Sequence, residues 1–240
     1  MYFEKLFEKY DTIIFFDTET TGFDALTDQI IELAAVAITR DGEKRDMDRY
    51  VQLHMKESVP EDVVKLTGIM DITLATSGMP EEKVIREFMG LFGEKTLLTA
   101  YNAQFDLDFV AHAVIRSCKD QLRLFNTADY LDPLTVCKDR KPYPHKLSDA
   151  IDFYHVEGQN SHRAIDDCEG LLNVTIAQEE ERDDVYKYVN VFGFNPKYGA
   201  PERKFKKVCY HPQPFGEPKL PYDILPYAAG VIKYNHPEKG

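Results

Sequence analysis

The sequence predicts an α/β domain, a mixed sheet flanked by helices. Two observations carry this. Apolar, β-rich runs joined by a hairpin signal fill the first fifty residues, and helical periodicity then alternates with a further buried strand. A third observation, acidic residues where strands end and helices begin, says where such a fold would place its chemistry.

The elements follow in order. Thr12 to Phe16 is a β-rich apolar run, and Gln29 to Thr39 is another, stopped by Arg40-Asp41-Gly42, whose Asp-Gly pair signals a hairpin. Arg49 to Leu53 supplies a third strand. Pro60-Glu61-Asp62 starts a short helix with acids in its first turn, ending before Gly68. Pro80-Glu81-Glu82 starts a longer one that runs through Phe92 to Gly93. Thr96 to Tyr101 reads as a buried strand. Phe105, Phe109 and Ala113 mark a helix from about Gln104 to Cys118, and Leu147, Ile151 and Tyr154 mark another. Ser161 to about Arg182 is the last long helix. The order of the strands does not follow from this pattern.

With 43% hydrophobic content in 240 residues the chain can bury a full core, which excludes disorder throughout. Charges recur at short intervals after Met1, so a secretory signal is not expected, and no run reaches the ~18 apolar residues of a membrane span. The reading is a cytoplasmic protein with no membrane partner. Cys118, Cys137, Cys168 and Cys209 lack the close pairing of a zinc knuckle or redox motif and read as reduced and structural.

After Asp184 the texture changes. Eight of the 13 prolines fall between Pro196 and Pro237, interleaved with Tyr198, Phe205, Tyr210, Phe215, Tyr222 and Tyr227. Such proline density forbids long helices, while the aromatics argue against a free linker. The expected organisation is a domain over 1–184 and an extended arm, 185–240, packed on it. Charge divides similarly: the formal net charge of −12 splits into −15 up to Arg182 and +3 beyond it. Non-specific duplex binding is thereby disfavoured for the main domain, leaving metal ions, a single-strand end and the tail to manage a polyanion.

Three acidic segments converge on one chemistry. Asp17 and Glu19 end an uncharged run, and on an extended chain residues two apart face the same side, so both carboxylates can enter one pocket. The same segment also reads as a polar strand-to-turn transition. Asp106 lies in the first turn of a helix, where an acid complements the dipole whatever its function, and Asn102 fits a helix cap. His162 and Asp167 are five apart on a predicted helix, about 140° around its axis. Asp167 can then reach a metal while His162 approaches a water from the side, although a histidine near a helix start also serves as a cap. Asp166 reads as solvent-facing or as an orienting partner. Together the carboxylates suit two hard divalent cations sharing an anionic substrate, which points to a nuclease.

These segments resemble the DEDDh (DnaQ-like) family of 3′ to 5′ exonucleases, the group of the polymerase III ε subunit and the PolC exonuclease domain. The D-x-E motif is met by Asp17 and Glu19, N-x-x-F-D by Asn102, Phe105 and Asp106, and H-x-A-x-x-D by His162, Ala164 and Asp167. Leu66-Thr67-Gly68-Ile69 is similar to the loop bordering the terminal nucleotide. The resemblance covers roughly residues 12 to 180. Cys168, where alanine is common, departs from the pattern and is expected to affect packing more than chemistry.

The resemblance implies a ribonuclease H-like, five-stranded mixed sheet. It further implies that Asp17, Glu19, Asp106 and Asp167 hold two Mg²⁺ or Mn²⁺ ions, that His162 takes the proton of the attacking water, and that Thr18, Leu66, Asn102 and Phe105 line the substrate. The implied substrate is a single-stranded 3′ end, DNA rather than RNA, cleaved to nucleoside 5′-monophosphates in replication proofreading or repair, with a DNA polymerase as a partner. An RNA 3′ exonuclease of the ribonuclease T or oligoribonuclease kind stays open, as does a non-catalytic binding or scaffold protein. Against the last stands the retention of four repelling carboxylates.

Two weaker signals remain. Lys197, Arg203, Lys204, Lys206 and Lys207 near Phe205 and Tyr210 suit either a single-strand guide or a loop closing over the fold. Gln121 to Phe125 is similar to a sliding-clamp docking peptide, but Leu122, Leu124 and Phe125 are read as core residues, so clamp docking is not expected.

Overall fold

A short helix, α1 (Glu4–Phe7), leads into β1 (Thr12–Thr20), in which Ile13, Ile14, Phe15 and Phe16 are all fully buried. The computed structural model describes residues 2–157 and 163–213. β1 pairs antiparallel with β2 (Ile30–Thr39), and β2 with β3 (Lys44–Tyr50). Gly42, in the turn between β2 and β3, has φ of 85°, a backbone angle that only glycine adopts without strain. Helices α2 (Glu61–Thr67), α3 (Asp71–Ser77) and α4 (Glu81–Met89) precede β4 (Thr96–Thr99), which lies parallel to β1. After α5 (Ala103–Ser117) and α6 (Leu122–Phe125), β5 (Asp129–Leu131) adds parallel to β4. The sheet order is β3-β2-β1-β4-β5, the mixed five-stranded sheet expected. Helices α7 (Pro133–Arg140), α8 (Leu147–Tyr154) and α9 (Ala164–Glu181) follow.

Strand alternation sorts the core into two layers. Ile14, Phe16, Leu33 and Leu98 face α4 and α5, packing on Phe88, Leu107 and Val110. Ile13, Phe15, Ala34 and Leu97 face α8 and α9, packing on Ile151, Ala164, Cys168 and Leu171. Burial on both faces explains why Ile13 to Phe16 of β1 and, apart from Glu32, β2 read as nearly continuous apolar runs.

Four expectations need correction. The third strand spans Lys44–Tyr50 rather than Arg49 to Leu53, because an edge strand that is half exposed carries Lys-Arg-Asp-Met-Asp-Arg-Tyr and not an apolar run. The helix from Glu81 stops at Met89, with Gly90 at its C-cap, short of Phe92. β5 and α7 were not anticipated: three residues give too short a pattern for the strand, although Asp132-Pro133 is an N-cap followed by proline at the first helical position. The last helix begins at Ala164, with Arg163 at its N-cap, rather than at Ser161.

Beyond α9, β6 (Val191–Phe194) and β7 (Cys209–Pro212) form a parallel pair. Phe205 packs on Tyr130 with ring centroids 5.2 Å apart. Arg203 pairs with Asp24 and Asp108 at 3.1 and 2.9 Å, and Lys207 donates to the Thr127 and Ala128 carbonyls. These contacts match the loop-closing alternative for Arg203 and Lys207. The rest of the expected arm, 214–240, lies outside the described residues. Phe125 is buried and Leu122 and Leu124 pack against the same core, so the clamp-like peptide is a structural segment. Among the described residues no helix is long and apolar enough to cross a membrane.

Candidate metal centre

The site forms where the parallel strands end. β4 pairs with β1 only as far as Thr99 opposite Phe15, and β1 runs on through Thr20 beside β2 alone. Beyond Phe15 the strand therefore has an edge with no β4 partner, at the carboxyl ends where helices start and open α/β sheets place their ligands. Asp106, in the first turn of α5, fills part of that edge: its Oδ1 accepts the Thr18 backbone N–H at 3.0 Å and the Thr18 hydroxyl at 2.6 Å.

Alternation then does what the sequence predicts. Asp17 and Glu19 continue the Ile13–Phe15 face toward α9, which delivers Asp167 from its first turn. Oxygens of Asp17, Glu19 and Asp167 all lie within 4.8 Å of one another. Asp106 approaches from α5, and its charge is the one that acts most strongly on Asp17.

Among the described residues no positive charge is a leading influence on Asp17 or Glu19. Burial, and then the charges of Asp106, Asp167, Glu19 and Glu32, hold Asp17 well above the usual carboxylate range. Burial followed by Asp167, Glu32 and Asp106 pushes Glu19 up to about 8. Burial raises Asp106 to about 7 against the two Thr18 donors, which favour its charged form. Such a group needs either shared protons or a multivalent cation. Converging carboxylate oxygens are what hard divalent ions take as ligands, so the donor set fits metal.

The substrate-side residues divide. Asn102 occupies the N-cap of α5 as expected, in a left-handed conformation with φ of 65°, but its side chain makes no capping bond. Its backbone N–H instead donates to Asp132 Oδ1 at 3.0 Å. Phe105 packs on Phe109 and, at 6.4 Å, on the exposed Phe23, and with Asn102 it lines a cavity of about 570 Å³. Leu66 is 56% exposed on α2. His162 lies outside the described residues. Asp166 is exposed, as expected, and Cys168 is buried in the α9 layer with its Sγ 3.4 Å from the Ala34 carbonyl.

Two residues escaped sequence reasoning. Glu32 stands directly opposite Glu19 in the β1–β2 register and is fully buried. Its Oε1 pairs with Arg163 at 3.2 Å, and its Oε2 accepts the Ala164 N–H at 3.4 Å, so β2 grips the start of α9 just ahead of Asp167. Its signal was available, as the one charge within Ile30–Thr39. Asp132 caps α7 and ties it to Asn102 through a single buried carboxylate.

A family model described as an exonuclease, of the RNase T type, matches residues 14–175, which spans every described carboxylate of the pocket. The chain belongs to the DnaQ-like 3′ to 5′ exonuclease family. The exonuclease is 33% identical over 184 residues to the PolC-type DNA polymerase III of Halalkalibacterium halodurans, an alignment covering 72% of this chain but 12% of that polymerase. It is 30% identical over 190 residues to the DNA polymerase III ε subunit of Treponema pallidum, covering 76% of this chain and 86% of that subunit. The exonuclease thus spans about an eighth of the PolC-type relatives it matches.

Solved structures share its fold. A zinc-bound E. coli exonuclease I–ssDNA complex superposes with a TM-score of 0.65 at 18% identity, over 75% of the exonuclease and 42% of that chain. Cell-death related nuclease 4 gives 0.58 at 18% identity, over 73% and 65% respectively.

Proposed function

We propose that the exonuclease removes nucleotides from the 3′ end of single-stranded DNA, releasing nucleoside 5′-monophosphates, with Asp17, Glu19, Asp106 and Asp167 holding two Mg²⁺ or Mn²⁺ ions. The observation that carries this reading is the convergence of carboxylate oxygens from β1 and α9 within 4.8 Å, with no neighbouring positive charge among the strongest influences on Asp17 or Glu19. When bound, the ions supply Lewis acidity to the scissile phosphate and to the attacking water.

The chain's own residues do the rest. Thr18, through its N–H and hydroxyl, fixes Asp106 and favours its ionised form. Glu32, through Arg163 and the Ala164 N–H, positions the α9 turn that carries Asp167. His162 accepts the proton of the attacking water, a task suited to a side chain that titrates near neutrality. Phe105 and Asn102, with Thr18 and Leu66, receive the terminal nucleotide; an aromatic face and an apolar rim suit a base and sugar.

DNA is favoured because the relatives are named as replicative polymerases or their ε subunit, and because exonuclease I is seen with ssDNA. Those names also motivate proofreading or repair beside a polymerase. The test is degradation of 3′-labelled and 5′-labelled single strands of DNA and RNA with Mg²⁺ or Mn²⁺, alongside Asp17→Ala. Mononucleotide release from DNA 3′ ends, lost in the variant, is the expected result. Preferential turnover of RNA replaces the substrate assignment, and no turnover of either by folded, metal-loaded protein overturns the reading in favour of a binding role.

A further inference from the structure

A second cavity, of about 670 Å³, adjoins the Phe105 cavity at Asn102, which lines both. Its walls come from the turn after β4, from α7 with the loop that follows it, and from Asn195 and Gln213 of the C-terminal segment, and they carry Lys138, Lys141, Tyr143, His145 and Lys146. In a chain of net charge −12 this cluster of basic groups stands out, and it shares Asn102, the N-cap of the helix that carries Asp106, with the Phe105 cavity.

The basic groups are not equivalent. Lys141 is committed to the fold, since its ammonium pairs with Glu181 and sits 4.2 and 4.7 Å from the ring centroids of Phe153 and Tyr154. Lys138 and Lys146 make no ion pair among the described residues. Tyr143 is 87% exposed and stands edge-on to His145 at 5.9 Å, presenting an aromatic face to solvent at the rim. The loop is not loose at its base: the Tyr101 hydroxyl donates to the His145 carbonyl at 3.0 Å, and His145 Nε2 lies 2.8 Å from the Lys141 carbonyl. By contrast, Arg203 and Lys207 of the C-terminal segment, the alternative guides, are already paired with the domain.

We propose that this cleft binds the substrate strand 5′ of the scissile phosphate, with Lys138 and Lys146 on its phosphates and a base stacked on Tyr143. The inference rests on the single-strand reading of the preceding section and adds the path by which the strand leaves the pocket. Asn102 marks the border: the terminal nucleotide lies on its Phe105 side and the retained strand on its Lys138 side. Cationic side chains interleaved with an exposed aromatic ring are what a sequence-tolerant strand groove requires. They also offset the repulsion that the carboxylates exert on an incoming polyanion.

Binding and turnover separate the two readings. Equilibrium binding of a fluorescein-labelled eight-nucleotide single-stranded DNA is measured in EDTA between 50 and 200 mM salt, for wild type, Lys138→Ala/Lys146→Ala and Tyr143→Ala. Each phosphate contact contributes a slope of about 0.7 for single strands, so the double variant loses about 1.4 from its salt slope. Wild type then loses about sevenfold more affinity than the double variant across that range. Tyr143→Ala weakens binding at every salt concentration without changing the slope. In parallel, Mn²⁺-dependent hydrolysis of thymidine 5′-p-nitrophenyl phosphate, which has no upstream strand, stays at wild-type rate in all three proteins while KM for the eight-nucleotide strand rises. Equal salt slopes and equal KM in wild type and variants overturn the cleft assignment and leave the nuclease reading standing. Absence of hydrolysis of either substrate overturns the nuclease reading, and the binding slopes still judge the cleft.

Discussion

Asp17 and Glu19 sit where a strand ends, and this was legible because the strand period alone sends residues two apart to one face. What the period did not show is the cost of gathering them. Folding raises the affinity of these groups for protons: Glu19 is pushed up to about 8, Asp106 to about 7, and Asp17 is raised beside them. In the unfolded chain the same groups titrate at about 4. Above the unfolded values the folded state binds more protons than the unfolded one, so stability falls as pH rises; the penalty is absent below pH of about 4 and grows as pH passes through about 7 and about 8. In EDTA the melting temperature should therefore drop steadily from pH 5.5 to 8.5, and Mg²⁺ or Mn²⁺ should flatten the curve in wild type more than in Asp17→Ala. A metal-free melting temperature indifferent to pH would contradict the carboxylate cluster. Glu32 went unread because, in a run judged by its hydrophobicity, one acid looks like noise; only the pairing of β2 against Glu19 and the arrival of Arg163 give it a partner.

At the scale of elements, long periodic segments were read well and short ones poorly. The helix expected from about Gln104 to Cys118 is α5 within one residue at each end, because fifteen residues sustain a period. β5 has three residues at the edge of the sheet, and a parallel strand of that length is specified by its pairing with β4 rather than by its own pattern. α7 was signalled by Asp132-Pro133 and missed, although this junction holds the site together. The Asp132 carboxylate accepts the N–H groups of Asn102 and Leu134 and the Thr135 hydroxyl, joining the turn after β4 to the start of α7. Asp132→Ala strands those donors in a buried setting and should cost about 2 kcal/mol or more in stability, read from urea denaturation. Its turnover should fall further than stability explains, since Asn102 loses its anchor; wild-type stability and turnover would show that α7 and the site are independent.

Over the whole molecule, the sequence left two roles open for a net positive tail, countering the acidic domain as a strand guide or closing over the fold as a loop. Arg203 and Lys207 of that tail spend their charge on the domain. Arg203 bridges Asp24 and Asp108 across the mouth of the Phe105 cavity, which it also lines. Half-exposed pairs of this kind contribute modestly, so Arg203→Ala should cost about 1 kcal/mol and leave the salt slope of strand binding unchanged; a reduced slope would return the tail to the role of a guide. One feature of the sheet reaches further. Because Ile13 to Phe16 are buried on both sides, hydrophobicity barely distinguishes the native alignment of β1 from one displaced by a single residue. Such a displacement would turn Asp17 and Glu19 into the apolar layer of Phe88 and Leu107, charged and far from any ion. The residues proposed for hydrolysis thus also act as a key that makes the wrong alignment costly, so neutralising them for activity assays would remove a safeguard of folding together with the chemistry.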